Sequence, residues 1–287
     1  MDLRSIFLGL AFALMWSSAF TATRMVVMDA APLHALAVRF ALSGVVGIVI
    51  ARALGQSWRL TRAQWRATLL FGLFQNVIYL GCNFTAMQTV EASFAAIIAA
   101  AMPLVAALLA WVFLGERMRP LGIAGLGVGM AGVVIIMSSR LSGGTDPYGI
   151  ALCIVGVVAL AAATLFVRGA AGSGNMLMVV GLQMLVGAAI LGVIAPVVEP
   201  FRLDLNPRLV AAFLYTAFIS GLLATLVWFA LVGRIGAVRA ASFHYLNPFF
   251  GLLIAALLLG EVIGIWDVVG VIIVALGILA VQRSKRA

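Results

Sequence analysis

Pro103-Leu104-Val105-Ala106-Ala107-Leu108-Leu109-Ala110-Trp111-Val112-Phe113-Leu114-Gly115-Glu116 is an apolar run opened by proline and closed by Leu-Gly-Glu. Pro248-Phe249-Phe250-Gly251-Leu252-Leu253-Ile254-Ala255-Ala256-Leu257-Leu258-Leu259-Gly260-Glu261 is a second version of it, 145 residues later. The same shift lays Phe84 on Phe229, Gly125 on Gly270 and Gly132 on Gly277, with 12 identities over the 53 positions from Phe84 to Ile136. A similarity of that length makes the chain two copies of one hydrophobic unit.

Composition names the solvent of that unit. The 287 residues are 65% hydrophobic and 9% charged, with a mean hydropathy of +1.21, more apolar surface than a water-soluble domain of this size can hide. A spanning helix needs roughly 20 mainly apolar residues to cross about 30 Å of hydrocarbon. Stretches of that kind cover residues 6–23, 33–54, 67–87, 92–114, 121–139, 149–167, 176–197, 209–231, 237–259 and 263–282. The expected fold is therefore an all-α integral membrane protein of ten transmembrane helices. Two five-helix repeats, residues 1–141 and 142–287, are expected to form one unit. The first stretch is too long for the apolar region of a secretory signal and follows a barely basic Met1-Asp2-Leu3-Arg4 start, so it reads as an uncleaved helix. Short Pro-, Gly- and Asp-containing connections make consecutive helices antiparallel neighbours.

The net charge of +9 would suggest nucleic acid in a soluble protein, but its distribution reads as membrane orientation. With the N-terminus inside, 13 basic residues fall on the cytoplasmic side: Arg4, Arg52, Arg59, Arg62, Arg66, Arg117, Arg119, Arg168, Arg234, Arg239, Arg283, Lys285 and Arg286. Only four, Arg24, Arg140, Arg202 and Arg208, fall opposite. This positive-inside bias places both termini in the cytoplasm. Five spans per repeat is an odd number, so the halves must be inverted relative to each other. Inverted repeats are the architecture of alternating-access carriers, with substrate near the midplane between the halves. Channels and membrane enzymes can also contain repeats.

Trp16-Ser17-Ser18-Ala19-Phe20 in the first helix, Arg39-Phe40 in the second, and the proline followed by Leu-Gly-Glu in the fourth and ninth together resemble the EamA-type drug/metabolite transporters. The resemblance covers essentially the whole chain. Within the family it resembles the YddG-type exporters of aromatic amino acids, which implies a ten-helix carrier of the bacterial inner membrane. The second half departs from the pattern where Ala161, Ala162 and Ala163 stand opposite Trp16, Ser17 and Ser18.

Several residue groups could meet a substrate. Pro103 and Pro248 delete helix hydrogen bonds to the carbonyls of Ala99 and His244 and are candidate hinges beside a cavity, or simple packing kinks. In the third helix Gly72, Asn76, Tyr79 and Asn83 share one face. Their amides and phenol suit a polar substrate group or act as glue between helices. Trp228 is the repeat equivalent of Asn83. The ninth helix offers His244, Tyr245 and Asn247, with His244 either a bonded neutral residue or a proton switch. Trp16 and Phe20 could stack on an aromatic ring beside Ser17, or pack the core. The fourth helix, rich in Ala92, Ala95, Ala96, Ala99, Ala100 and Ala101, either permits close contact or leaves room for a ligand. Arg39 is expected to snorkel to the outer headgroups, with Glu91 as a candidate partner.

No predicted helix carries a deep carboxylate, which leaves coupling to His244 and favours facilitated export down the substrate gradient. There is no Walker loop, His-Glu-x-x-His helix or Asp/His cluster for a metal, so neither an enzyme nor a cofactor is expected. Cys82 and Cys153 lack CxxC spacing. The expected partners are the lipid bilayer and a small molecule: Trp, Phe or Tyr, with other amino acids or drug-like compounds as alternatives and a pore or membrane enzyme behind them. Cation-poor helices argue against nucleotide sugars and phosphates.

Overall fold

The computed structural model describes residues 2–115, 119–166, 175–235, 243 and 246–286. They are almost entirely helical. Helix α1 covers Leu3–Asp29 and α2 Pro32–Ala53. Helix α3 covers Arg62–Ala86, and α4 runs from Ala92–Ala100 into Met102–Leu114. Helices α5 and α6 are Pro120–Ser142 and Pro147–Phe166, and α7 is Met176–Val198. Helix α8 runs from Pro207–Leu214 to Ala224–Ile235. Asn247–Leu259 is α9 and Ile265–Arg286 is α10. Among the described residues, eight helices are long and apolar enough to cross a membrane, and α9 and α10 contribute two shorter apolar helices. Helix α1 continues to Asp29, beyond the expected end at residue 23, because Met25–Met28 keep it apolar past Arg24. Of the expected ninth stretch, residues 237–242, 244 and 245 lie outside the described residues.

Gly115 and Gly260 close α4 and α9 at φ 65° and 68°. Only glycine enters this left-handed region without a Cβ penalty, so the repeated Leu-Gly ending is a helix stop. Glu116 lies outside the described residues.

The two most extensive helix contacts pair α5 with α10 and α2 with α7. In the first, a methyl on Gly125 would stand 2.9 Å from the Gly277 carbonyl oxygen, and one on Gly132 would stand 2.9 Å from that of Gly270. The order of these pairs makes the helices antiparallel. Absent side chains let two backbones approach, which is how helices associate without a hydrophobic drive. In the second, Gly44 meets Leu185 and Gly181, and Gly187 meets Asn76 and Phe40. The main apolar cluster joins Phe40, Phe84, Phe94 and Leu36 to Val180, Leu191, Leu252 and Val274, so one core spans both halves. Val38, Val45, Val49, Phe113, Val197 and Leu257 are exposed, the surface a lipid-facing helix presents.

Polar contacts gather at two ends. At the acidic end, Arg140 forms a fork onto Asp267 (Nε to Oδ1 3.1 Å, Nη2 to Oδ2 2.7 Å) and also pairs with Glu91. Arg24 donates to the Met87 carbonyl. Glu199 accepts from the backbone N–H groups of Leu33 at 2.7 Å and His34 at 3.0 Å, capping α2. Glu261 caps α4 through Ala92 at 2.8 Å and Ser93 at 2.9 Å. At the other end, Gln56 caps α7 through Met178 N–H at 3.0 Å, and Arg234 pairs with Asp2 at 2.6 Å. The Ser5 hydroxyl and then Arg234 hold the Asp2 carboxyl down at about 2. Carboxylates suit helix N-termini because the free N–H groups and the macrodipole both favour negative charge.

Candidate functional site

Helix α1 contacts α2, α3 and α4 of its own half and α8 and α9 of the other, so it too joins the halves. The residue types on it decide what it offers. Phe12 lies 4.8 Å from the Trp228 ring of α8 and 5.7 Å from Trp16, centroid to centroid, in tilted arrangements that suit ring quadrupoles. One turn on, the Ser17 hydroxyl donates to the Asn247 backbone carbonyl at 3.2 Å and approaches its Oδ1 at 3.4 Å. The Ser18 hydroxyl shares a 2.6 Å hydrogen bond with the Tyr215 phenol. Phe20 is buried in the main core. Trp16, Ser17, Trp228 and Asn247 thus line one region between α1, α8 and α9, with aromatic groups and hydroxyls side by side. His244 and Tyr245 lie outside the described residues.

The α3 set is divided differently. Residues Gly72–Tyr79 form a π-helical segment, as do Tyr215–Leu223 in α8. Such segments shift the hydrogen-bond ladder and often mark functional positions. Asn76 donates its amide to the Gln183 carbonyl of α7 at 2.8 Å, so this side chain binds helix to helix. Asn83 donates to the Tyr79 carbonyl at 3.0 Å and packs against Gly156 of α6, where a methyl would stand 2.7 Å from its nitrogen. Its Oδ1 is buried without a partner, as are Thr21 Oγ1, Gln75 Oε1 and Ser93 Oγ. Tyr79 is buried with Ala159 and Leu160. Asn83 and its repeat equivalent Trp228 therefore face different neighbours, α6 and α1.

Pro103 is the second residue of Met102–Leu114, and the helix breaks just before it at Ala101. Pro248 occupies the same position in α9. The alanines of α4 are used in close packing at Ala96, whose Cβ would lie 2.7 Å from a methyl on Gly251.

Arg39 departs from expectation. It does not snorkel: it is 7% exposed, and its Nε donates to the Thr216 carbonyl in the π segment of α8 at 3.1 Å. Ser43, one turn on, donates to the next carbonyl, Ala217, also at 3.1 Å. Glu91 is not its partner, because Arg140 holds that carboxylate. The sequence signal was present in the placement of Arg39 between Leu36 and Ser43, both on the buried face of α2. Phe12, Tyr215 and Thr216 had no comparable signal, since each matters through a partner on another helix. Among the described residues no group of His, Cys, Asp and Glu could hold a metal.

Known proteins place this architecture. An uncharacterised transporter of Bacillus subtilis, YvbV, is 22% identical over 97% of this chain and 92% of its own. The uncharacterised inner membrane transporter YedA of Escherichia coli K12 is 27% identical over 96% and 90%. The aromatic amino acid exporter YddG of Ancylobacter novellus is 30% identical over 47% of each chain. A solved protein structure, 20% identical, superposes with a TM-score of 0.70 over 100% of this chain and 99% of its own, which shows a shared fold. The EamA-like transporter family matches residues 3–138 and again 147–282. With nearly the whole chain matched in two copies, the protein belongs to the EamA-like transporter family, a family of membrane-spanning transporters.

Proposed function

We propose that the protein exports aromatic amino acids, or similar small and partly apolar metabolites, from the cytoplasm by alternating access. The observation that carries this reading is the region between α1, α8 and α9. There the Phe12, Trp16 and Trp228 rings stand beside the Ser17–Asn247 and Ser18–Tyr215 hydrogen bonds. Rings offer offset or edge contacts to an aromatic side chain, and hydroxyls and amides offer partners to a zwitterion. The half-length likeness to an aromatic amino acid exporter supports the same substrate class.

The transport cycle follows from the repeat. Counting α9 and α10 as spans gives ten, arranged as residues 1–141 and an inverted 142–287. The crossing of α5 and α10 supports inversion: the Gly125–Gly277 contact maps onto Gly270–Gly132 when the halves are exchanged, as a twofold axis in the membrane plane requires. Both termini lie in the cytoplasm of a bacterial cell. Pro103, with the break at Ala101 before it, and Pro248 act as hinges for the half-helices they open. Transport is facilitative, a reading supported among the described residues by Glu199 and Glu261, which cap helices, and by Asp267, which pairs with Arg140.

The test is counterflow of labelled Trp, Phe and Ala in proteoliposomes, with an imposed pH gradient as a control. Saturable counterflow of Trp and Phe but not Ala is expected. Flux that never saturates would indicate a pore, gradient-driven accumulation would overturn the facilitative cycle, and counterflow of Ala alone would overturn the aromatic preference.

A further inference from the structure

Arg39 is the eighth residue of α2, about 10 Å from its first residue at 1.5 Å per residue, yet it faces inward and is buried. Among the described residues no carboxylate lies within ion-pair distance of it, and its hydrogen bonding amounts to the one bond from Nε to Thr216. The two terminal nitrogens make no hydrogen bond among the described residues and are not fully sealed. The rings of Phe40 and Phe84 flank the guanidinium carbon at 5.5 and 5.7 Å. The Tyr79 phenol lies within electrostatic reach.

A buried cation walled by phenylalanine is stable only if something compensates its lost hydration. Ring faces and one carbonyl do part of this. An anion would do the rest, and a guanidinium presents paired N–H groups that match the two oxygens of a carboxylate. We propose that Arg39 is the anchor for a carboxylate on the transported substrate. Its terminal nitrogens take the two oxygens, while Nε stays on Thr216 and fixes the plane of the fork. The π segment of α8 contributes by presenting the Thr216 and Ala217 carbonyls to α2, where they hold Arg39 and Ser43.

The repeat equivalent of Arg39 is Met184, so the protein has one such anchor and not a symmetric pair. A single cation suits one carboxylate and is too little for a phosphate-rich ligand. This deepens the carrier reading and rests on it for transport, but the anchor itself is tested by binding.

The experiment measures ligand-induced thermal stabilisation of the purified full chain, using acid and amide pairs: tryptophan and tryptophanamide, phenylpropionate and phenylpropionamide, leucine and leucinamide. Wild type, Arg39→Lys and Arg39→Gln are compared, with Trp counterflow alongside. For wild type, each acid that binds should do so about tenfold to a hundredfold more tightly than its amide. Arg39→Gln should bring each pair level, and Arg39→Lys should keep part of the preference. Equal binding of acid and amide by wild type, no binding of any acid, or an equal loss of both in Arg39→Gln would overturn the anchor and leave Arg39 a staple on Thr216. If Arg39→Gln does not fold, the wild-type ratio and Arg39→Lys decide. Arg39-dependent binding of leucine without Trp counterflow would uphold the anchor and sink the aromatic reading.

Discussion

Asp146, one residue before α6, accepts hydrogen bonds from the Thr89 hydroxyl at 2.8 Å, Tyr148 N–H at 3.0 Å and Gly149 N–H at 3.2 Å. These bonds, that from Thr89 first, hold its carboxyl below the usual carboxylate range. A depressed carboxyl contributes stability that is complete above the unfolded value of about 3.9 and disappears as pH falls through the folded one. The gap in unfolding temperature between wild type and Asp146→Ala should therefore close as pH is lowered from about 6 to about 3, since the protonated cap is lost in both. A gap that stays constant over this range would show that the charge is irrelevant. Asn76 illustrates what a single residue hides. Its amide stands out in an apolar helix, but nothing local says that Gln183 of α7 accepts its proton.

At the scale of helices, the crossing of α5 and α10 sets the tightest steric demand. A methyl on Gly277 would collide with the Gly129 backbone, whereas one on Gly127 would meet open space. Gly277→Ala should lower stability by about 1–3 kcal/mol through overpacking, read as thermal unfolding in detergent. Gly127→Ala should be neutral or slightly stabilising, because alanine is the better helix former. Matching losses in the two variants would mean that the crossing does not hold the fold. The glycines were visible in sequence because the repeat preserves Gly125 as Gly270 and Gly132 as Gly277. The π segments of α3 and α8 were not, since their side chains carry no period that separates a π turn from an α turn. Two carbonyls of the segment in α8, those of Thr216 and Ala217, accept from Arg39 and Ser43 of α2.

Across the whole molecule, caps pass between the halves: Glu199 caps α2, Gln56 caps α7 and Glu261 caps α4. Arg140 completes the acidic end by joining Asp267, which is 1% exposed, to Glu91 at the start of α4. Removing this cation strands a buried carboxylate. Arg140→Gln should cost roughly 3 kcal/mol, and adding Asp267→Asn should restore part of it. Additive losses in the double variant, measured by thermal unfolding, would show that the pair is not coupled.

The sequence by itself determined the solvent, the two-copy plan, the approximate spans and the Leu-Gly helix stops. These depend only on counts of apolar residues, on a fixed rise per residue and on the steric freedom of glycine. Which face of each helix turns inward, and onto what, was decided by the tertiary structure alone. Arg39 meets Thr216 across 177 residues of chain, Asn76 meets Gln183 across 107, and Glu91 meets Arg140 across 49. A helix that is apolar all round carries little periodicity to set its rotation, so packing against distant neighbours chooses the angle, and with it the side chains that reach the interior.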